Sequence, residues 1–354
     1  MNFVYLIPYV CFFCGAFLLD IISYKRSKKI KIIIFILILS FLFFLLIFKA
    51  DSVGTDTRTY KLVFDEMVST GKISSNKDIA FYNLMLLFAK TIPNFYVFQL
   101  FSYVFFIVGL GLFAYKTTDR PILLLIVLFG TPIFPLLFSG LRQMYAIIIC
   151  CLSSLLFLKC TKLYCKIGSI LVYLIAIFFH SSSIVFGIFF FYKLIKINNK
   201  TFFIFVASFL LFLLFSGDLL YFLYSFKDLE YFITSNTLGV PINAIIFFII
   251  FILCYFVNKR KGEITQYTVF LWPSFLYTLI MSTSSSSYFL TRFGFYFAIF
   301  LCPLVTQTVK NLQFDDKKNK IIYIGICFLF CFFGIYNLWI NNSMGTFPYL
   351  WRFQ

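Results

Sequence analysis

Acid is scarce in this chain and histidine nearly absent: 13 Asp and Glu and a single His stand among 354 residues. Charged residues of all kinds make up only 12%. No polar stretch is long enough to form a sizeable soluble domain. No glycine-rich phosphate loop appears, which argues against work powered by cytosolic ATP. Cysteine offers no framework either. Eight of ten (Cys11, Cys14, Cys150, Cys151, Cys254, Cys302, Cys327 and Cys331) lie in apolar segments, and Cys160 and Cys165 share a short basic loop. The polar stretches 49–78, 218–240 and 341–354 contain none. That spacing fits neither a disulfide set nor a zinc site, and the thiols read as small apolar packers.

What the chain has is apolar length. Hydrophobic residues make up 62%, and runs near 20 residues recur from end to end. Such runs match the thickness of a bilayer core. The fold expected is an all-α polytopic membrane protein, a single transmembrane domain over 1–354 with about twelve helices (range 10–13). The segments are 3–22, 30–48, 95–115, 121–138, 143–158, 166–180, 182–196, 201–217, 241–257, 264–281, 289–309 and 321–340. The first reads as a span rather than a cleaved signal, because its basic residues follow it.

The formal charge of +17 fits topology better than nucleic acid, because the charges sit in short loops. Alternate loops collect 20 of the 30 Lys and Arg on one side, the side expected to be cytoplasmic. Both termini then face outward, with extracytoplasmic loops at 49–94, containing short helices, and at 218–240. Five acids fall on the basic side and eight on the other. Chemistry is expected on the outer face.

Two stretches depart from plain spans. Segments 166–180 and 182–196 both carry basic flanks, so the chain must go out and return. Each arm, at about 15 residues, reaches about 22 Å as an α-helix, short of a core of about 30 Å. The apex, His180-Ser181-Ser182-Ser183, is therefore expected below the outer surface, in a polar cavity. A packing histidine is the plainer alternative. Segment 79–92 is apolar but short and ends at Pro93, so it is not counted as a span.

Charge inside apolar sequence costs roughly 2.5–3.5 kcal/mol at mid-bilayer and usually marks a site. Arg142, followed by Gln143, opens one span, and Arg292 opens another. Each can snorkel. As guanidinium forks near helix N-termini they also suit a phosphate. Asp56, Tyr60 and Phe64 fall at i, i+4 and i+8 if helical. Asp56 is then either an ordinary N-cap or a functional acid. Aromatics crowd the outer loops, as an interfacial belt or as a platform for sugars.

Several elements together resemble the EpsG/Wzy-type polysaccharide polymerases of bacteria. They are Gly54-x-Asp56-x-x-x-Tyr60-x-x-x-Phe64, Arg142-Gln143, Phe179-His180-x-Ser182, Lys227-x-x-x-Tyr231, Arg292-x-x-x-Tyr296-Phe297 and Pro348-Tyr349. One departure is visible: the family often has a Glu before an aromatic after the first outer loop, where this chain has Asp78 before Phe81 and Tyr82. The resemblance implies a glycosyltransferase in the bacterial cytoplasmic (inner) membrane, acting on its outer face. It would join repeat units of an O-antigen, capsule or exopolysaccharide carried on undecaprenyl diphosphate. It implies catalytic roles for His180, Asp56, Arg142 and Arg292, with His180 or Asp56 as base. Substrate contacts would fall to Arg58, Tyr60, Gln143, Ser182, Lys227, Tyr231 and Tyr296. No cofactor or metal is expected beyond the lipid carrier. The partners expected are lipid-linked glycans, membrane lipids, a chain-length regulator and a flippase, and no nucleic acid. The competing readings are a lipid-linked oligosaccharide transporter, which would hold a passing anion with the same arginines, and a membrane O-acyltransferase.

Overall fold

A computed structural model describes residues 3–24, 26–73, 77–195, 197–225, 242–262, 264–283, 288–312, 316–342 and 344–353. Within the described residues each of the twelve apolar segments is mainly helical. Seven helices are long and apolar enough to cross a membrane among the described residues, or eight if one bent pair counts as a span. The expected figure of about twelve treated every apolar segment as a full crossing; the remainder are shorter apolar helices. The protein is an all-α, multi-pass membrane protein. Its chain divides into two compact units, Met1–Ile184 with Phe314–Gln354, and Val185–Gln313.

The first unit opens with α1 (Ile7–Ser23) and α2 (Lys28–Phe48), followed by two short helices, α3 (Thr57–Thr70) and α4 (Ile79–Thr91). Next come α5 (Phe95–Thr117), α6 (Pro121–Phe129), α7 (Ile133–Ser139), α8 (Leu141–Lys159) and α9 (Leu163–Phe179). From the C-terminal part the unit takes α14 (Asp316–Ile335), which continues as a π-helical stretch, Tyr336–Asn341. Burial sorts these helices by role. The most apolar window, in α2, is only 33% buried, whereas that of α8 is 78% buried. α2 therefore offers its surface to lipid and α8 runs through the protein interior.

Expected as one span, 121–138 is broken. α6 and α7 meet at 78° across Gly130-Thr131-Pro132. Both halves are buried along their length, the setting in which broken backbone is tolerated at membrane depth. Beyond the break, the end of α7 at Ser139 reaches the loop at 49–56.

That loop is fixed from three sides. Lys49 is fully buried and donates to Val53 O at 2.6 Å and to Thr57 Oγ1 at 2.7 Å. Thr55 Oγ1 pairs with Ser139 Oγ at 2.9 Å. The C-terminal segment crosses over the top. Ala50 N donates to Leu350 O, Arg352 N to Phe48 O, Gly54 N to Gly345 O and Thr55 N to Met344 O, all at 2.7–2.8 Å. Gly54 (φ +94°) lies so near Phe138 that a Cβ would stand 2.4 Å from its carbonyl oxygen. Only glycine fits there.

At the other end of the first unit, Asp20 accepts from Arg120 Nη2 at 2.5 Å and from the Tyr323 hydroxyl at 2.9 Å. This buried contact ties α1 to the start of α6 and to α14.

After α9 the chain continues as a 3₁₀ helix, Ser181–Leu194, which begins in the first unit and runs into the second. At about 2.0 Å per residue its 14 residues span about 28 Å. This segment is longer than the α-helical estimate of about 22 Å. The second unit continues with α10 (Asn199–Ser225), α11 (Ile242–Arg260), α12 (Ile264–Met281) and α13 (Tyr288–Asn311). α10 runs on to Ser225, inside the stretch expected to be outer loop. Stacked rings pack this unit: Phe209 on Phe248 at 3.8 Å and Phe202 on Tyr255 at 3.9 Å. Asn258 Nδ2 bonds Thr308 Oγ1 at 3.0 Å, giving a buried amide its partner.

Candidate active site

Four elements of the first unit converge on one buried carboxylate. α3 is amphipathic, with Thr57, Tyr60, Phe64 and Met67 buried along one stripe. That stripe packs on α4, whose buried side includes Phe81, Tyr82 and Met85. α4 in turn lies on α9. Tyr60 comes from α3, Asp78 and Tyr82 from the start of α4, Arg142 from the first turn of α8, and His180 from the end of α9.

Asp78 sits at the centre, its side chain 4% exposed. Its backbone is left-handed, φ 51° and ψ 49°, a conformation that Asp adopts more readily than most residues. At the N-cap position of α4 its side chain caps nothing. It turns instead toward three partners. Oδ2 accepts from Arg142 Nη1 at 3.0 Å and lies 3.1 Å from His180 Nδ1; Oδ1 accepts from Ser181 N at 3.1 Å. Burial by itself would raise the Asp78 carboxyl. His180, the Ser181 amide and Arg142 outweigh it and hold the group below the usual carboxylate range.

Arg142 is the hub of the remaining contacts. Nη1 also donates to the Tyr82 hydroxyl at 3.3 Å, and Nε donates to the Tyr60 hydroxyl at 3.3 Å. The guanidinium carbon lies 5.7 Å from both ring centroids. Because each phenol accepts from Arg142, each keeps its own proton to give. Burial pushes the Tyr60 hydroxyl up to about 12, against the pull of Arg142, so it stays a donor at neutral pH. Arg142 Nη2 has no partner among the described residues, and the side chain is 29% exposed. The arrangement leaves an edge of donors, Nη2 and two phenols, for an anionic ligand.

With Nδ1 against Asp78, Nε2 is the ring nitrogen of His180 that has no hydrogen-bond partner among the described residues, and the side chain is 14% exposed. An imidazole oriented by a buried carboxylate can take a proton at Nε2, the resulting cation being stabilised by that carboxylate.

Of the residues singled out from sequence, the structure brings Arg142, Tyr60 and His180 together. Asp56 is exposed, makes no side-chain cap on α3 and forms no side-chain hydrogen bond among the described residues; its backbone N–H donates to Ser139 Oγ at 3.3 Å. Arg58 is exposed on α3. Gln143 is buried beside Arg142, and Ser182 is half-buried at the apex, where Ser181 supplies the amide. Arg292 is exposed and Tyr296 buried on α13 of the second unit. Lys227 and Tyr231 lie outside the described residues. Asp78 and Tyr82 were not among the expected site residues. The signal for them was an acid directly before a short apolar helix that is not a span. No cluster of three His, Cys, Asp or Glu suited to a metal occurs among the described residues.

The EpsG family model matches residues 31–351, nearly the whole chain and every element of this cluster. The chain belongs to the EpsG family. No curated protein and no solved structure matches it. For this EpsG family member the geometry of the Asp78 cluster is therefore the direct guide to chemistry.

Proposed function

We propose that this EpsG family member is a polysaccharide polymerase of the bacterial cytoplasmic membrane. It joins oligosaccharide repeat units carried on polyprenyl diphosphate, on the outer face. The observation that carries the chemistry is the His180 Nδ1–Asp78 Oδ2 contact of 3.1 Å beside Arg142.

In this reading His180 Nε2 accepts the proton of an acceptor sugar hydroxyl. The hydroxyl oxygen forms a bond to the anomeric carbon of the donor glycan as the bond from that carbon to the diphosphate oxygen breaks. Polyprenyl diphosphate leaves with the electron pair. Arg142 Nη2 and the Tyr60 and Tyr82 hydroxyls bind the negative charge that develops on the leaving oxygens. Asp78 remains ionised and holds the imidazolium until its proton passes to the leaving diphosphate or to water. The donor is already activated, so no nucleotide is required.

The test uses purified protein in nanodiscs with a synthetic polyprenyl-diphosphate-linked repeat unit and no nucleotide. Mass spectrometry of the lipid fraction is expected to show a ladder of longer glycans, lost in folded Arg142→Ala. A second reading, a carrier, draws on the broken span α6–α7, since discontinuous helices line transporter sites. Transfer of the same lipid between leaflets without any ladder would select that reading and reject the polymerase.

A further inference from the structure

We infer that the groove between α2 and α5 is a binding site for an anionic glycerophospholipid, with one acyl chain along the groove and the phosphate between Lys28 and Lys116. The groove has a volume of about 470 Å³, in the range of ligand pockets, and both of its walls belong to the first unit. Its lining is apolar apart from Ser40 and the Tyr115 hydroxyl.

The sequence writes this groove onto one face of each helix. On α2 the lining residues Ile32, Phe35, Ile36, Leu39 and Phe43 recur at three- and four-residue spacing. Lys28 lies four residues before Ile32 on the same face. On α5 the face runs through Val104, Val108, Gly111, Leu112 and Tyr115. Gly111 makes the floor: a Cβ there would stand 2.8 Å from Leu39 Cδ1. The walls stay open, with Ile36 53% and Val108 55% exposed, so an acyl chain can enter sideways from the bilayer.

Charge picks out the occupant. Tyr115 closes one end, and two ammonium groups lie against its ring: Lys116 Nζ at 5.2 Å from the centroid and Lys28 Nζ at 6.0 Å. Neither lysine is in an ion pair among the described residues. Asp20 is bound to Arg120 and Tyr323, and Asp119, three residues after Lys116, is exposed but forms no ion pair with either lysine among the described residues. The first turn of α2 adds backbone N–H groups, since Ser27 provides no side-chain cap. A basic rim over an apolar slot between spans is the chemistry that selects a lipid of net negative charge over a neutral or zwitterionic one. The site lies at the end of α2 remote from the 49–56 loop and takes no part in glycan transfer.

The test is native mass spectrometry of the purified full chain equilibrated with equal amounts of phosphatidylglycerol and phosphatidylcholine of matched acyl chains. Wild type is expected to retain phosphatidylglycerol over phosphatidylcholine by about tenfold or more. Lys28→Gln with Lys116→Gln is expected to bring retention of the two lipids to parity. Ser40→Trp, which fills the groove without touching the rim, is expected to remove one retained lipid. Lys29→Gln, one position off the groove face, is expected to leave the preference intact. Equal retention by wild type, or a preference that survives the double substitution, would overturn the assignment and mark the groove as ordinary lipid annulus. Displacement of phosphatidylglycerol by equimolar polyprenyl phosphate would overturn it in favour of the carrier lipid.

Discussion

Arg142 shows how much one side chain holds together. Its planar fork reaches Asp78, Tyr82 and Tyr60 at 3.0–3.3 Å, three partners in three directions. A lysine keeps the charge but cannot serve all three from one nitrogen at the end of a flexible stem. Arg142→Lys is therefore expected to lower glycan transfer by about tenfold or more, with the fold retained by thermal melt. A variant at wild-type rate would mean that the fork has no catalytic use. Lys49 gives a prediction of a different kind. Burial, opposed by Asp51 and reinforced by Arg352, brings its ammonium down from 10.5 to about 7. Between those values the unfolded chain holds a proton that the folded chain lacks. Stability should rise as pH is raised through that window. Melting temperatures from pH 7 to 10 are expected to climb for wild type, with a flatter profile for Lys49→Met. Equal slopes would place the ammonium in contact with water.

At the scale of elements, the site depends on a loop clamped between the C-terminal segment and the end of α7. Gly54→Ala forces a Cβ onto Phe138 O and a positive φ onto alanine, so it is expected to cost more than about 1 kcal/mol and to lower activity with it. A lowered melting point checks this; an unchanged one would mean that the loop moves aside freely. Hydropathy made α2, α5 and α8 legible in the sequence, because each is a long unbroken apolar run. It hid the bend between α6 and α7, since an apolar run reads the same straight or broken. Gly130-Thr131-Pro132 is the only local mark of that turn. The half-site of Arg142 and His180 was legible because charge in apolar sequence is costly. Asp78 was not, because its function comes from a left-handed backbone and from partners 64 and 102 residues away along the chain. Asp56, expected as an N-cap or a functional acid, makes no side-chain cap. Its carboxylate faces outward because Thr57 and Tyr60 take the buried stripe of α3.

Over the whole molecule, polar chemistry is concentrated at few places in an aromatic, lipid-facing framework. In the first unit the two ends differ. One carries the buried Asp20–Arg120–Tyr323 contact, a tie between helices. The other carries Asp78 with an arginine, a histidine and two phenols, and there the Arg142 side chain is 29% exposed. The proton-transfer role of His180 with Asp78 is tested most directly by the rate of glycan ladder formation in nanodiscs for wild type, His180→Gln, Asp78→Asn and the double variant. Each single variant is expected to fall by about 10²–10⁴-fold, with the double no slower than the worse single, because the two act as one unit. Folded single variants that extend the ladder at the wild-type rate would contradict it.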